Sequence, residues 1–356
     1  SSSKWRPWAE AAFVVLCLEL VVLGFERRFI FGVVFSLLSV WPWLDGSFTS
    51  AADETSSKRA TLQTWTASCL FISVFPYLST EYGEHTLLVV VGGLALLASA
   101  LAAVVSQSSS SSRANGNSSK LSWALAFAVV GASLVTVQWT MSYLETKHKP
   151  PVLLTLVNWV LSIAPIVVLL VRLAFKTAEL RTGSSEQEEL EGSDVVNLKL
   201  QTKMLRRMVE IVLAVSPAYI LLSISYEVFF FLALCCVLGS WIVLEAQLAT
   251  AASHSSSPPA SSTLRHEARR AFFFLLLVKI AFFGTGNVAS MSSFELSSTY
   301  RFVTVFAPFL MGALLVIKLL IPFLVVACAF HVVLELVHVN SSSSAVRHPP
   351  SRYFLL

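Results

Sequence analysis

Apolar runs of membrane-spanning length recur along most of the chain. They occupy residues 8–25, 29–44, 62–79, 86–105, 121–141, 151–175, 208–225, 228–246, 271–283, 302–317 and 319–338. A helix needs about 20 mostly apolar residues to cross a hydrocarbon core about 30 Å thick, and most of the runs approach this length. The pattern therefore predicts an all-α fold, a polytopic transmembrane helical bundle of about 11 spans.

Two of the runs, 29–44 and 271–283, are short for a membrane crossing. One interpretation is that each helix continues into its less apolar flanks. The other is that the backbone breaks near the membrane surface, which is tolerated only where protein or a wet cavity supports it.

Polar linkers separate the runs. We predict that runs and linkers together form one multi-pass membrane domain over residues 1–356. Four long linkers are rich in Ser, charge or Pro and are predicted to be flexible loops, at 46–61, 107–120, 176–207 and 249–270. The chain begins at Ser1 without a methionine and stops as a new apolar run begins at 353–356. We therefore expect a fragment truncated at both ends.

Composition supports a membrane protein. Hydrophobic residues make up 55% of the chain and charged residues only 13%, against about 25% charged residues in soluble domains. The mean hydropathy is +0.72. The net charge of +4 is carried by loops between apolar runs, so we interpret the basic residues as topology determinants and expect no nucleic-acid partner.

The loops sort into two faces with unequal basic charge if all the predicted spans cross. One face collects 17 Lys and Arg residues, among them Lys318, and the other only seven, among them Arg301. By the positive-inside rule the first face is cytosolic, which places residues 284–300 in the lumen. The glycosylation motif at Asn117 is then cytosolic, and the one at Asn340 is lumenal but close to the membrane.

Lys279 is the clearest polar residue within a predicted span, because an ionised group at the bilayer centre costs at least about 2.5 kcal/mol. It lies between Phe and Leu residues in the run 271–283. It could pair with an acid such as Glu19 or Glu227, or hold a lipid phosphate. The alternative is that its long side chain extends to the lumenal surface about one turn away.

The segment Gly284, Thr285, Gly286 and Asn287 follows this run directly. Its glycines allow backbone conformations closed to other residues, and its amides and hydroxyl could contact a phosphate or a sugar. The alternative is a helix C-cap followed by a hairpin loop.

No catalytic motif or metal site is evident in this chain. The five cysteines lie inside apolar runs and are interpreted as packing residues. His331, Glu335 and His338 share a helical face, but they lack a fourth ligand and the HExxH spacing, so we interpret them as an interfacial polar stripe. A nucleophile elbow, a phosphate-binding loop and an Asp and His cluster for two-metal chemistry are all missing.

The run 269–330 (RRAFFFLLLVKIAFFGTGNVASMSSFELSSTYRFVTVFAPFLMGALLVIKLLIPFLVVACAF), the motif Ser225-Tyr226-Glu227 and the pair Trp41-Pro42 carry a resemblance. In these stretches the chain resembles the GPI ethanolamine phosphate transferase 1 family. The resemblance implies a multi-pass enzyme of the endoplasmic-reticulum membrane that transfers phosphoethanolamine from phosphatidylethanolamine to the first mannose of the GPI-anchor precursor.

In that family the chemistry belongs to a lumenal, alkaline-phosphatase-like domain with a Thr nucleophile and a divalent metal, expected to be zinc. Those residues lie outside this chain, which needs no cofactor of its own. The resemblance implies that its partners are the two membrane lipids and its own lumenal catalytic domain. Gly284, Thr285, Gly286 and Asn287 match the family's pattern, so we expect them and Lys279 to line a groove that presents lipid.

Two other functions remain open from the residues themselves. A secondary transporter or lipid scramblase is suggested by the short span and by Lys279 within it. A non-catalytic membrane scaffold that anchors partner proteins is the third possibility.

Overall fold

A computed structural model describes residues 29–44, 55–78, 85–110, 117–146, 150–181, 193–253, 260–283 and 297–344, together with Val15 and Glu19. Within these residues the regular structure is entirely helical, which confirms the all-α prediction. The described helices are α1 (Phe29–Leu44), α2 (Thr55–Val74), α3 (Thr86–Ser110), α4 (Asn117–Glu145), α5 (Val152–Arg181), α6 (Ser193–Leu222), α7 (Glu227–Ser253), α8 (Ala260–Phe283) and α9 (Pro308–Ser344). Two short 3-10 turns, Phe75–Tyr77 and Ser297–Arg301, follow α2 and precede α9.

Five of the described helices are long and apolar enough to cross a membrane. They are α3, α4, α5, α7 and α9, and α1 is a shorter apolar helix of the same kind. The other helices carry charged residues over part of their length, such as Arg206 and Glu210 in α6. The chain is therefore a multi-pass membrane protein by composition and helix length, while the count of about 11 spans is not confirmed.

The prediction of two crossings at 302–317 and 319–338 is wrong. The structure has one continuous helix, α9, that begins at Pro308 and runs through Lys318 without a break. The sequence pattern predicts a short loop at Lys318 because its charge interrupts the apolar run. Its ammonium group is instead paired with a carboxylate inside the bundle, so the helix has no reason to end there.

Elsewhere the helices extend beyond the apolar runs. The run 271–283 is the end of α8, which begins at Ala260, so the first interpretation of this short run is the correct one. The same extension takes helical structure into each of the four predicted loops, most of all into 176–207, where α6 begins at Ser193. The parts of those loops at 46–54, 111–116, 182–192 and 254–259 lie outside the described residues.

Helices α6 and α7 form the centre of the bundle. Within its apolar window α7 is 72% buried, against 17% for α5, although the two windows have similar mean hydropathies of 2.3 and 2.4. Helix α2 packs on α7 and on α1, and α3 packs on both α6 and α7. Helices α4 and α5 pack on α6 and on each other. Helix α9 lies against both α6 and α7, and α8 packs on α9. The largest buried side chains of this core include Trp65, Phe230, Phe231 and Trp241.

Helices α1 and α2 approach each other closely at Gly32. A methyl group built on Gly32 would lie 2.7 Å from the backbone oxygen of Ser73 and would also overlap the ring of Tyr77. Small residues permit such close contact between membrane helices. These helices associate through van der Waals packing rather than through the hydrophobic effect. The glycine is therefore required by the helix pair.

Candidate functional site

Arg301 closes the 3-10 turn before α9 and is completely buried. Its Nη1 donates hydrogen bonds to the carbonyl oxygens of Leu221 at 3.0 Å and Ser223 at 2.9 Å, with a longer contact to Ile220. Its Nη2 contacts the sulfur of Met141 at 3.7 Å. The last carbonyls of a helix lack partners within the helix and carry partial negative charge, so the guanidinium group caps the C-terminus of α6.

Side chains of helix α5 donate hydrogen bonds to backbone carbonyls of the same turn. The side-chain amide of Asn158 donates to the carbonyl of Arg301, and the indole N–H of Trp159 donates to the carbonyl of Phe302, both at 2.9 Å. The rings of Trp159 and Phe302 also pack edge to face at 5.3 Å. The segment that leads into α9 is thus fixed against both α5 and α6.

A buried ion pair lies at the same end of the bundle. The Nζ of Lys318 is 2.7 Å from the Oε2 of Glu227, and the two side chains are only 11% and 5% exposed. The same carboxylate oxygen accepts a hydrogen bond from the backbone N–H of Ile224 at 3.1 Å, across the turn between α6 and α7. The pair joins α9 to the first residue of α7, and its hydrogen bonds offset part of the cost of burying charge.

The opposite end of α7 carries a second buried charge cluster around Glu245. Both carboxylate oxygens of Glu245 accept hydrogen bonds of 2.9 Å from Arg269, and Arg270 lies 3.5 Å away. The Arg269 guanidinium also stacks over the ring of Trp41 at 4.9 Å. This Glu245 cluster fixes α8 to α7 and to the end of α1.

The two charge clusters lie about one bilayer thickness apart. Glu227 and Glu245 are 18 positions apart on one helix, 245 minus 227, which corresponds to about 27 Å at about 1.5 Å per residue. The hydrocarbon core of a membrane is about 30 Å thick. In a membrane of this thickness the separation would place the two clusters near opposite edges of the apolar layer, where ionised groups cost least.

The predicted site residues are only partly within the described structure. Lys279 is half-buried in α8, one turn before that helix ends at Phe283. Gly284, Thr285, Gly286 and Asn287 lie outside the described residues. Of the acids suggested as partners for Lys279, Glu227 forms its short ion pair with Lys318, and Glu19 is exposed.

Sequence reasoning missed the anchoring role of Arg301, Lys318 and Asn158. It assigned Arg301 and Lys318 to loops on opposite faces, whereas the structure brings both to the same end of the bundle. The sequence feature that could have indicated a buried ion pair is the motif Ser225-Tyr226-Glu227, which places an acid at the start of an apolar helix. A buried acid of this kind requires a cation from a distant part of the chain.

The polar stripe on α9 lies near its C-terminal end. The Nδ1 of His331 is 4.0 Å from the Oε2 of Glu335, and the His331 side chain is 80% exposed. The side chain of His338 is outside the described residues. Among the residues that the structure describes, no group of three or more His, Cys, Asp or Glu side chains is placed to hold a metal ion.

The described cysteines are packing residues, as predicted. Cys69 is buried, and Cys235, Cys236 and Cys328 pack partly buried against the main core. Cys17 lies outside the described residues.

Comparison with known proteins identifies relatives over nearly the whole chain. The chain is 29% identical to GPI ethanolamine phosphate transferase 1 of Homo sapiens over 343 residues, which cover 92% of this chain and 33% of the relative. It is also 29% identical to the protein of the same name from Neurospora crassa, with 89% of this chain and 31% of the relative covered. The Candida glabrata protein of that name is 38% identical over 122 residues, which cover 34% of this chain and 13% of the relative. The chain thus spans about a third of the length of the first two of these relatives, and no solved structure matches it.

A family model gives the same assignment over a longer stretch. The model described as Phosphatidylinositolglycan class N (PIG-N) matches residues 1–347. This match includes both buried charge clusters and all nine described helices. The chain therefore belongs to the PIG-N family.

Proposed function

We propose that this chain is the membrane part of a transferase of the endoplasmic reticulum that adds phosphoethanolamine from phosphatidylethanolamine to the first mannose of the GPI-anchor precursor. The family match over residues 1–347 carries the proposal. It is supported by relatives that are named GPI ethanolamine phosphate transferase 1 in animals and fungi. The multi-pass helical bundle provides the membrane location that two lipid substrates require.

The chemistry belongs to a lumenal catalytic domain elsewhere in the full-length protein. This chain spans about a third of the length of its relatives, which leaves room for such a domain. Its buried charges bind one another or backbone carbonyls, as Lys318 and Arg301 do, so they stabilise the bundle. A divalent metal, expected to be zinc, would be held by the catalytic domain and not by this chain.

The task of the bundle is to present both lipids to that domain. Holding two reactants near one point makes their encounter effectively intramolecular, which can lower a barrier by several kcal/mol. Lys279 lies in the last turns of α8, the segment Gly284–Asn287 follows in sequence, and their polar groups are suited to the phosphate of a lipid headgroup. Their end of the bundle is assigned to the lumen because Arg206, Arg269 and Arg270 mark the opposite end as cytosolic.

The test is a transfer assay on the full-length protein in microsomes from cells that lack the endogenous activity. We expect labelled phosphoethanolamine to appear on the first mannose of the GPI precursor. Lys279→Met and Asn287→Ala should each lower transfer per molecule by about tenfold, the effect of losing about 1.4 kcal/mol of binding. Lys203→Met, an exposed change in α6, is the matched control and should leave transfer unchanged.

The possible results distinguish a lipid-presenting transferase from a scramblase and from a scaffold. Unchanged transfer in both site variants at normal protein levels would reject the lipid-presenting role of this segment. A wild-type protein without transfer activity that moves labelled lipid across reconstituted vesicles would instead be a scramblase. A protein with neither activity would fit the scaffold.

A further inference from the structure

Two arginines from different helices meet the first turn of the apolar part of α4, at the end of the bundle opposite Arg301. The Nη1 of Arg172, in α5, donates a hydrogen bond of 2.5 Å to the Oγ of Ser122. The guanidinium group of Arg206, in α6, lies over the ring of Trp123, 5.4 Å from the ring centre. Because Ser122 and Trp123 are neighbours, both guanidinium groups reach the same place on α4. We call these four residues the Trp123 cluster.

The Trp123 cluster lies at the level of lipid headgroups. The apolar window of α4 begins at Leu121 and that of α5 ends at Phe175. Trp123 and Arg172 each lie within one turn of those ends. Tryptophan is enriched at this level of a membrane, where part of its ring is in an apolar environment and its N–H reaches water. Helices α4, α5 and α6 pack on one another, so the cluster is held in place by the bundle.

Much of the positive charge of the cluster is available to a ligand. Arg206 has a carboxylate partner in Glu210, but the atoms are 3.7 Å apart and the side chains are 34% and 41% exposed, so the pair is weak. Arg172 is exposed, and the structure pairs it with no carboxylate among the residues that it describes. Arg269 is different, because it binds both oxygens of the buried Glu245.

We infer that the Trp123 cluster binds the phosphate of an anionic phospholipid headgroup. A guanidinium group presents several donors in a planar fork that matches two oxygens of a phosphate. Basic groups between membrane helices at the cytosolic edge are the usual site for such headgroups, and the cytosolic leaflet carries anionic lipids. The inference goes beyond the proposed function and does not depend on it.

The surroundings of the cluster favour a lipid as the occupant. Of the five described spans, α5 has the smallest buried fraction, 17% of its apolar window. Leu173 and Phe175, which lie beside Arg172 in sequence, are exposed, as are Leu121 and Leu125 of α4. Acyl chains can therefore lie along the apolar surfaces of α4 and α5 while the headgroup contacts the two arginines.

The experiment measures lipid binding to the full-length protein in detergent. The purified protein is titrated with dioleoyl phosphatidylserine or, as the zwitterionic reference, with dioleoyl phosphatidylcholine, and bound lipid is counted by native mass spectrometry. We expect the wild type to bind phosphatidylserine about 25-fold more tightly, since two basic groups each contribute about fivefold. Arg172→Gln and Arg206→Gln should each lower this preference about fivefold. Arg172→Lys keeps the charge without the planar fork and should retain part of the preference.

Arg59→Gln is the matched control. Arg59 is an exposed arginine of α2. The side-chain amide of Gln247 donates a hydrogen bond of 2.8 Å to the hydroxyl of Thr61, which places the start of α2 at the same end of the bundle as Glu245. The main contacts of α2 are with α1 and α7. The variant thus removes the same charge from the same membrane edge but from another side of the bundle, and it should leave the preference unchanged.

Three results would overturn the inference. The first is a wild type that does not prefer phosphatidylserine, and the second is a preference that is unchanged in both Arg172→Gln and Arg206→Gln. The third is an equal loss in Arg59→Gln and Arg172→Gln, because any positive charge at this edge would then have the same effect. A loss confined to the two cluster variants supports the inference. Phosphoethanolamine transfer is not measured, so failure here leaves the proposed function standing.

Discussion

Lys318 and Glu227 illustrate how single charged residues are accommodated inside this bundle. Each comes from an apolar stretch, and their side-chain atoms meet at 2.7 Å across two helices that are remote in sequence. The sequence alone led to Lys318 being placed in a loop, because one lysine between two apolar runs looks like a boundary. Only the position of Glu227 in three dimensions shows that the charge is bound, and one-dimensional patterns do not contain that information.

Replacing Lys318 by Met should destabilise the bundle by about 3–5 kcal/mol, because the Glu227 carboxylate then loses its lysine partner in a buried position. The double variant Lys318→Met with Glu227→Gln should recover most of that stability, since neither position then buries a charge without its partner. Thermal unfolding of the detergent-solubilised protein provides the measurement. A double variant no more stable than Lys318→Met alone would show that the pair does not act as a unit.

For the individual helices, the sequence predicted which segments are helical, but it did not predict where each helix begins and ends. Apolar runs located α3, α4, α5 and α7 closely, because a helix is the structure that satisfies all its backbone groups in lipid. The ends of α6 and α8 were missed, since their first turns are polar and resemble loops in composition. Helices that extend into water beyond the apolar layer give no hydrophobic signal there.

The contact of α1 with α2 gives a stability prediction at this scale. Gly32→Ala should destabilise the protein by about 1–3 kcal/mol, the usual cost of overpacking, because the new methyl group meets the rigid backbone of Ser73. Gly131→Ala in α4 is the control: nothing lies within 4 Å of a methyl group there, and removing a helical glycine should stabilise by about 0.5–1 kcal/mol. Equal unfolding temperatures for the two variants would contradict the close approach of α1 and α2.

The continuity of α9 makes a topological prediction. A helix that crosses once has its two ends on opposite faces, whereas the two crossings first predicted would return the chain to the same face. We therefore expect a glycan acceptor site inserted between residues 288 and 289 to be glycosylated in microsomes, and one inserted after residue 344 to remain unmodified. The native motif at Asn340 should then be cytosolic and unmodified, contrary to its first assignment. Glycans at both inserted sites would support two crossings.

The whole molecule is organised around the central hairpin of α6 and α7, with buried charges grouped near its two ends. The class of protein, its membrane location and its family were predictable from the sequence, because each depends on long apolar runs and on the motif-bearing region 269–330. The anchoring of the 3-10 turn before α9 was not, since Arg301, Asn158 and Trp159 belong to separate parts of the chain. The proposed function requires that the end of the bundle that carries Arg301 faces the lumen.

The most direct measurement is the accessibility of position 287 in the full-length protein. Asn287→Cys, in a background without other reactive cysteines, is treated with a membrane-impermeant thiol reagent in sealed microsomes and again after permeabilisation. A lumenal lipid-presenting end predicts labelling only after permeabilisation, and Lys203→Cys, at the cytosolic end, should be labelled in both conditions. Labelling of position 287 in sealed microsomes would place this end of the bundle in the cytosol and contradict the account.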